Sequence, residues 1–181
     1  MNCLDVKNLF VEIVFMDHVD KILAQWRQER PDLDVAPMGV IGRINRLSMW
    51  VTRGMEETWA EFGLTFASFD VLATLRRAGP PYALSPSDLI ASTMVTSGTM
   101  TNRIDQLEKA GLVERRPNPD DRRSSLIALT KSGFELLERT ATAHVETQAR
   151  LVEGLSEKEF RQLDKLLSRY LQALEGKAES A

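Results

Sequence analysis

Cysteine and histidine are scarce in this 181-residue sequence, which contains one Cys and two His. A single cysteine excludes a disulfide within the chain and a zinc site built from cysteines. His18 and His144 each lack a second ligand four residues away, so we expect no metal site. Cys3 lies beside Asp5 with only Lys7 as a basic neighbour, and it therefore lacks the activation that a redox-sensing thiol needs.

Sequence patterns typical of enzymes and of exported proteins are also lacking. There is no glycine-rich phosphate loop, no serine elbow and no histidine–carboxylate pair at metal spacing. We therefore expect neither an enzyme nor a bound cofactor. The apolar run at residues 9–15 is broken by Glu12, so neither a membrane span nor a signal peptide is predicted, and a cytoplasmic protein is expected.

Positive charge is scarce overall but concentrated in one segment. The chain has 23 Lys and Arg against 26 Asp and Glu, which gives a formal net charge of −3 at pH 7. The segment 115–123 nevertheless contains the arginines Arg115, Arg116, Arg122 and Arg123. This distribution favours a focused contact with phosphate groups over general attraction to polyanions.

Most of the chain has the spacing of amphipathic helices. With 43% hydrophobic and 27% charged residues, the composition is that of a folded protein. Apolar residues recur every three or four positions across residues 4–28 and 37–62, and in the two segments that Thr130 and a capping box at residues 156–159 open. Gly154 separates those last two helices. The pattern predicts a mainly α protein with a small β-hairpin.

The middle of the chain contains the clearest signals for the start of a helix. Thr65 is a predicted N-cap, and Ser85-Pro86-Ser87-Asp88 combines an N-cap serine, a proline at the first helical position and an acid at the third. The predicted elements are helices over 66–78, 86–92 and 97–110 and strands over 112–116 and 124–129. Two short helices followed by a two-stranded hairpin are the plan of a winged helix-turn-helix lobe.

These signals divide the chain into five parts. We predict an N-terminal helical extension (1–36), a linking and dimerisation helix (37–64), a winged helix-turn-helix lobe (65–130), C-terminal dimerisation helices (131–175) and a frayed tail (176–181).

The second short helix of the lobe has the side chains that DNA recognition requires. Met100, Ile104 and Leu107 fall on one face and would pack inward, so the polar residues of the other faces would point outward. Asn and Gln pair with adenine in the major groove, helix N-termini favour phosphate, and arginine at a hairpin tip suits the minor groove. The predicted DNA-contacting residues are Thr96, Ser97, Gly98, Thr99, Thr101, Asn102, Gln106, Arg116, Arg122 and Arg123.

A winged-helix protein-interaction module without direct DNA binding is the alternative. The polar residues would then be solvated, and the aspartates and arginines of the 117–123 turn would pair with one another. The two hypotheses differ over Arg122 and Arg123. Replacing them would weaken a DNA binder and make its affinity less dependent on salt, whereas an interaction module would keep its function.

The hairpin segment resembles the MarR (multiple antibiotic resistance regulator) family. Asp121-x-Arg123 followed by Leu129-Thr130 matches that family's wing signature, and residues 107–113 resemble the exit from its recognition helix. The resemblance covers about residues 37–174. It implies a homodimer, with interleaved outer helices, that represses transcription from a palindromic operator in double-stranded DNA. The many apolar residues of the terminal helices independently favour a dimer.

Two charged residues lie where apolar ones are expected. Asp70 falls between Phe66, Phe69 and Ala73 on the inward seam of its helix, and Arg103 lies on the inward side of the next-but-one helix. An isolated buried charge is costly, so each needs a partner. They could pair with each other, Arg103 could reach a DNA phosphate, or both could form a polar pocket for an anionic ligand.

A narrower resemblance connects these residues with a ligand. Residues 69–79 and 97–103, with a tryptophan on an added N-terminal helix, resemble the urate-responsive branch of the family. The resemblance implies that urate or a phenolic acid is the small anionic effector, held by Trp26, Asp70 and Arg103 together with Asp88 or Arg115. Plain packing of Trp26, helix capping by Asp88 and DNA contact by Arg115 are the alternatives.

Overall fold

The computed structural model describes residues 16–93, 100–119 and 124–178. Its elements are α1 (His18–Glu29), α2 (Ala36–Glu61), α3 (Phe66–Arg77), β1 (Ala83–Leu84), α4 (Pro86–Ser92), α5 (Met100–Lys109), β2 (Val113–Pro117), β3 (Ser125–Leu129), α6 (Lys131–Val152) and α7 (Glu157–Ala178). The chain divides into two compact units, residues 1–50 and 51–181. Within the described ranges no helix is both long and apolar enough to cross a membrane. The mainly α fold with a small sheet is the predicted one.

The N-terminal unit is held together by a close approach of α1 to the first part of α2. Val19 and Leu23 are buried, and a β-carbon added to Gly42 or Gly39 would lie 3.2 Å from the Val19 or Leu23 side chain respectively. Absence of a side chain at these two glycines therefore allows the helices to meet. Arg43 of α2 reinforces the contact by donating hydrogen bonds to Asp17 and Asp20 at the start of α1.

The first helix of the described residues begins inside the segment that the apolar pattern marked as helical. We predicted a helix over residues 4–28, but Asp17 is an N-cap that accepts a hydrogen bond from the backbone N–H of Asp20, and α1 begins at His18. Residues 16 and 17 are not helical, and residues 1–15 lie outside the described part of the chain. A capping box at Asp17 and Asp20 terminates the helix because it satisfies the free N–H groups there.

Three predicted helix starts are confirmed. Thr65, Ser85 and Thr130 have extended backbone, and the side chain of each accepts a hydrogen bond from the N–H three residues later. These caps depend on neighbours in the sequence, which is why the sequence predicts them well. Gly63, which was expected to stop α2, has a φ of 69°.

Helix α3 lies at the centre of the larger unit. Its Val71, Leu72 and Leu75 are completely buried. They belong to a core that also contains Leu89 of α4, Met100, Ile104 and Leu107 of α5, Ile127 of β3 and Leu137 of α6. The predicted inward face of α5 is confirmed. Since that face is buried, the remaining faces of α5 are held in a fixed orientation.

Among the described residues the sheet has three antiparallel strands in the order β1-β3-β2, one more than the predicted hairpin. β2 pairs with β3 from Val113–Leu129 to Pro117–Ser125, as the sequence suggested. β1 has two residues, too few to produce an alternating pattern, and it forms only because β3 offers a free edge. This third strand attaches the base of the hairpin to the segment between α3 and α4.

The last helix continues further than predicted and buries none of its residues from 157 to 177. α7 is helical to Ala178, whereas we expected fraying after Glu175. Every residue from 157 to 177 is exposed. The exposed apolar side chains of α7 are Phe160, Leu163, Leu166, Leu167, Tyr170, Leu171 and Leu174. An amphipathic helix of this length needs another surface to cover its apolar stripe.

Candidate nucleic-acid interface

The outer side of α5 presents three of the predicted DNA-contacting residues. Thr101, Asn102 and Gln106 are exposed, and the same helix is anchored by its buried apolar face. The other predicted residues at this end, Thr96–Thr99, lie outside the described residues. A buried face and an exposed face rich in short polar groups are what a recognition helix needs in order to enter a major groove.

The described part of the hairpin has one predicted DNA-contacting residue, Arg116. Arg116 is exposed on β2 and forms an ion pair with Glu114 at 2.6 Å. A hydrogen bond from Asn118 Nδ2 to Ser124 Oγ, at 2.9 Å, joins the two ends of the turn that connects β2 and β3. Arg122 and Arg123 lie outside the described residues, so their contact with DNA stays a prediction from the sequence.

Arg115 is engaged within the chain. Its Nη2 donates to Asp105 Oδ1 of α5 at 2.7 Å, and its Nη1 forms a second ion pair with Glu108 of the same helix. The hydrogen bond to Asp105 raises the pKa of Arg115 above its ordinary value. The guanidinium therefore joins the first strand of the hairpin to the recognition helix. Sequence reasoning had assigned Arg115 to a ligand or to DNA.

Asp70 and Arg103 lie on α3 and α5. Asp70 is buried, with 6% of its surface exposed. Arg103 Nη1 donates to Ser68 Oγ at 3.3 Å and to Gln106 Oε1 at 2.9 Å, while its Nε is buried and has no hydrogen-bond partner within the described residues. A pairing of Arg103 with Asp70 stays a prediction. Arg103 thus connects α3 to a side chain on the outer face of α5.

The remaining members of the predicted ligand set have different surroundings. Asp88 takes part in the cap of α4, in line with its alternative interpretation: the N-cap Ser85 hydroxyl accepts a hydrogen bond from the Asp88 N–H and donates one to the Asp88 carboxylate. Trp26 belongs to the N-terminal unit, where it is 41% exposed and lines an open cleft with Gln25 and Glu29. Trp26 is therefore not a core residue of that unit, and its role in ligand binding stays a prediction of the resemblance.

Arg77 has a role that the sequence analysis missed. Its Nη2 donates to the backbone oxygen of Ser92, at the end of α4, and to Thr74 Oγ1 at 2.7 Å. A cation at this position satisfies a free carbonyl where the chain leaves α4 for the recognition helix. Two consecutive arginines in the last turn of α3 were the available signal, but their spacing does not reveal which element they reach.

His144 is a packing residue. Its ring stacks on Trp59, with centroids 5.8 Å apart, and makes a tilted contact with Phe69, with centroids 4.6 Å apart. Burial lowers the pKa of His144 because it disfavours the charged imidazolium. No group of three or more His, Cys, Asp or Glu that could hold a metal occurs among the described residues.

A family model and three known proteins illustrate what this chain is similar to. The model, described as the MarR family, matches residues 62–124. The transcriptional regulator PecS of Dickeya dadantii is 45% identical over 151 residues, which is 83% of this chain and 91% of PecS. A mutant of E. coli MarR in complex with operator DNA superposes with a TM-score of 0.65 at 27% identity, over 81% of this chain and 97% of that one. BpsR of Bordetella bronchiseptica, whose DNA binding is regulated by 6-hydroxynicotinic acid, gives 0.64 at 27% identity, over 72% and 91%.

Proposed function

This chain belongs to the MarR family of transcription regulators that bind DNA, and we propose that it is a repressor that binds a palindromic operator as a homodimer and is released by a small anion. One observation carries the proposal. The polar face of α5 is exposed while its apolar face is buried, and an ion pair fixes the adjacent hairpin strand to the same helix. The family consists of regulators and not of enzymes. Because DNA is the proposed partner, the proposed place of action is the cytoplasm.

The proposed contacts with DNA follow from residue chemistry. Asn102 and Gln106 would read base edges in the major groove, with Thr101 beside them. Arg116 would contact a phosphate, and the hairpin residues Arg122 and Arg123 would enter the minor groove. Thr96, Ser97, Gly98 and Thr99 complete the proposed surface at the start of the recognition helix.

The proposed homodimer would cover the apolar stripe of α7. That stripe has seven exposed large apolar side chains within residues 157–177, and the described chain offers none of them a buried position. Full burial of one Leu or Phe contributes about 1.5–3 kcal/mol, so burial of this stripe against a second copy of the chain would be a strong source of binding energy. Two-fold symmetry of the dimer would match a palindromic operator with half-sites about one helical turn apart.

The proposed effector acts through Arg103. This guanidinium has one buried N–H group without a hydrogen-bond partner in the described residues, and it also holds Gln106 of the DNA-facing surface. An anion that binds Arg103 would compete for the hydrogen bond to Gln106 and change the surface that α5 offers to DNA. A ligand that binds the DNA-free state better shifts the population towards that state. BpsR, whose DNA binding responds to a small aromatic acid, supports this type of control.

A fluorescence-anisotropy titration tests the proposal. The probe is labelled duplex DNA from upstream of the gene that encodes this protein. The protein is titrated into it without additive and then in the presence of urate, of salicylate as a phenolic acid, or of hypoxanthine as an uncharged purine control. We expect one of the two anions to weaken binding at least about tenfold, which corresponds to a coupling of about 1.4 kcal/mol, and hypoxanthine to have no effect.

The outcomes separate the parts of the proposal. Unchanged affinity with both anions would remove the effector and leave DNA binding in place. Affinity no higher than for unrelated DNA would remove the repressor and favour the protein-interaction module. An equal effect of hypoxanthine would show that charge is not what the site recognises.

A further inference from the structure

We propose that Arg115 is a positioning residue that sets the orientation of the recognition helix relative to the hairpin. This inference rests on the proposed DNA-binding function and goes beyond it, because it assigns Arg115 neither to DNA nor to the effector. The two ion pairs that Arg115 forms with Asp105 and Glu108 together make up the Arg115 clasp.

The geometry of the clasp joins two elements that DNA would contact separately. Arg115 lies in the middle of β2, where it pairs in register with Ile127 of β3. Its guanidinium reaches Asp105 and Glu108, which are three residues apart and thus on one side of α5. Because one planar side chain binds both carboxylates, it fixes the relative direction of β2 and α5 as well as the distance between them.

Neighbouring residues on β2 have opposite functions. Arg115 and Arg116 are adjacent in a strand and therefore point to opposite faces of the sheet. Arg115 is directed to α5, whereas Arg116 pairs with Glu114 and remains exposed. Arg115 has two carboxylate partners on α5, whereas Arg116 has one, on its own strand, so in this proposal Arg116 is the arginine that exchanges its partner for a phosphate.

Such a clasp matters more for binding than for folding. The side chains of Arg115, Asp105 and Glu108 are 38%, 47% and 37% exposed, and ion pairs at such exposure contribute little to stability. A recognition helix and a wing must nevertheless enter adjacent grooves together. Without the clasp, the complex has to order their relative orientation at the moment of binding, and this lowers the affinity.

The clasp also makes Arg115 a poorer site for an anionic effector than Arg103. An anion that binds this guanidinium would lie close to the negative charges of Asp105 and Glu108, which disfavour it. We therefore assign effector binding to Arg103 and the orientation of α5 to Arg115.

The test compares R115K, R115Q and a double-mutant cycle of R115Q with D105N. R115K keeps the charge but reaches only one carboxylate, so we expect operator affinity to fall about threefold. We expect R115Q to lower it about tenfold, which is within the usual range of coupling energies. The R115Q/D105N double variant should bind about as well as R115Q alone. R161Q, which removes an exposed ion pair from α7, is the matched control for charge and should bind like the wild type.

Salt dependence distinguishes positioning from direct contact. Because Arg115 does not neutralise a phosphate in this proposal, the slope of log affinity against log salt should be unchanged in R115Q, and thermal unfolding should remain close to that of the wild type. Wild-type affinity in R115K, together with a slope about 0.9 shallower in R115Q, would overturn the proposal and make Arg115 a phosphate contact. Additive losses in the cycle would also overturn it. If the wild type does not bind DNA, the proposed function itself fails.

Discussion

Replacing Leu163 and Leu167 of α7 by glutamate is expected to convert a dimer into a monomer and to abolish tight binding to the operator. Both residues lie on the exposed apolar stripe of a helix that buries none of its own residues from 157 to 177. Two charges in a dry interface cost several kcal/mol because neither finds a partner there. A monomer would contact one half-site, so affinity should fall by about a thousandfold, towards that of non-specific binding.

The matched control places the same two charges on the polar side of the same helix. Ser168 and Gln172 are exposed and hydrogen-bond to each other, so S168E/Q172E should remain dimeric. Sedimentation velocity at micromolar concentration gives the oligomeric state, and anisotropy gives the affinity. A dimeric L163E/L167E variant, or a monomer that binds the operator as tightly as the wild type, would contradict the proposed dimer.

Replacing Gly133 by alanine is expected to destabilise the fold by about 3 kcal/mol or more. A β-carbon at this position would lie 1.9 Å from the backbone oxygen of Leu112. Neither group can move freely, because the N–H of Gly133 bonds the Thr130 side chain and the Leu112 oxygen accepts a hydrogen bond from the Thr130 N–H. The first turn of α6 would have to separate from the base of β2, which breaks these bonds.

Urea unfolding followed by circular dichroism measures this effect. The control is Gly154→Ala, because an added β-carbon there meets nothing within 4 Å. This substitution should leave stability unchanged or raise it slightly, since alanine has fewer unfolded conformations than glycine. Equal unfolding midpoints for G133A and the wild type would contradict the close approach of Gly133 to the Leu112 backbone oxygen.

Local signals in the sequence predicted most of the helix boundaries in the larger unit. Thr65, Ser85 and Thr130 cap helices through bonds to residues three positions away, so the sequence contains both partners. The burial of Asp70 was also predicted, because its neighbours on the same helix face are apolar. Signals of this kind need no knowledge of tertiary structure.

The elements that were missed depend on partners far away in the sequence. β1 becomes a strand only by pairing with β3, and two residues cannot carry an alternating pattern. Arg115 and Arg77 find their partners on α5 and at the end of α4, which became clear only after these elements had packed. The sequence indicated a basic segment, and the structure divides its two described arginines between the clasp and the exposed surface.

One titration tests the central claim that α5 and the hairpin together contact duplex DNA. Upstream duplex DNA is titrated by anisotropy across a range of salt concentrations with the wild type, R122Q/R123Q and the control R161Q. We predict operator affinity well above that for unrelated DNA. We also predict that R122Q/R123Q makes the salt slope shallower, by up to about 1.8, because two positive charges are lost from the negatively charged minor groove. Wild-type affinity and slope in R122Q/R123Q, or no preference of the wild type for the upstream DNA, would contradict the claim.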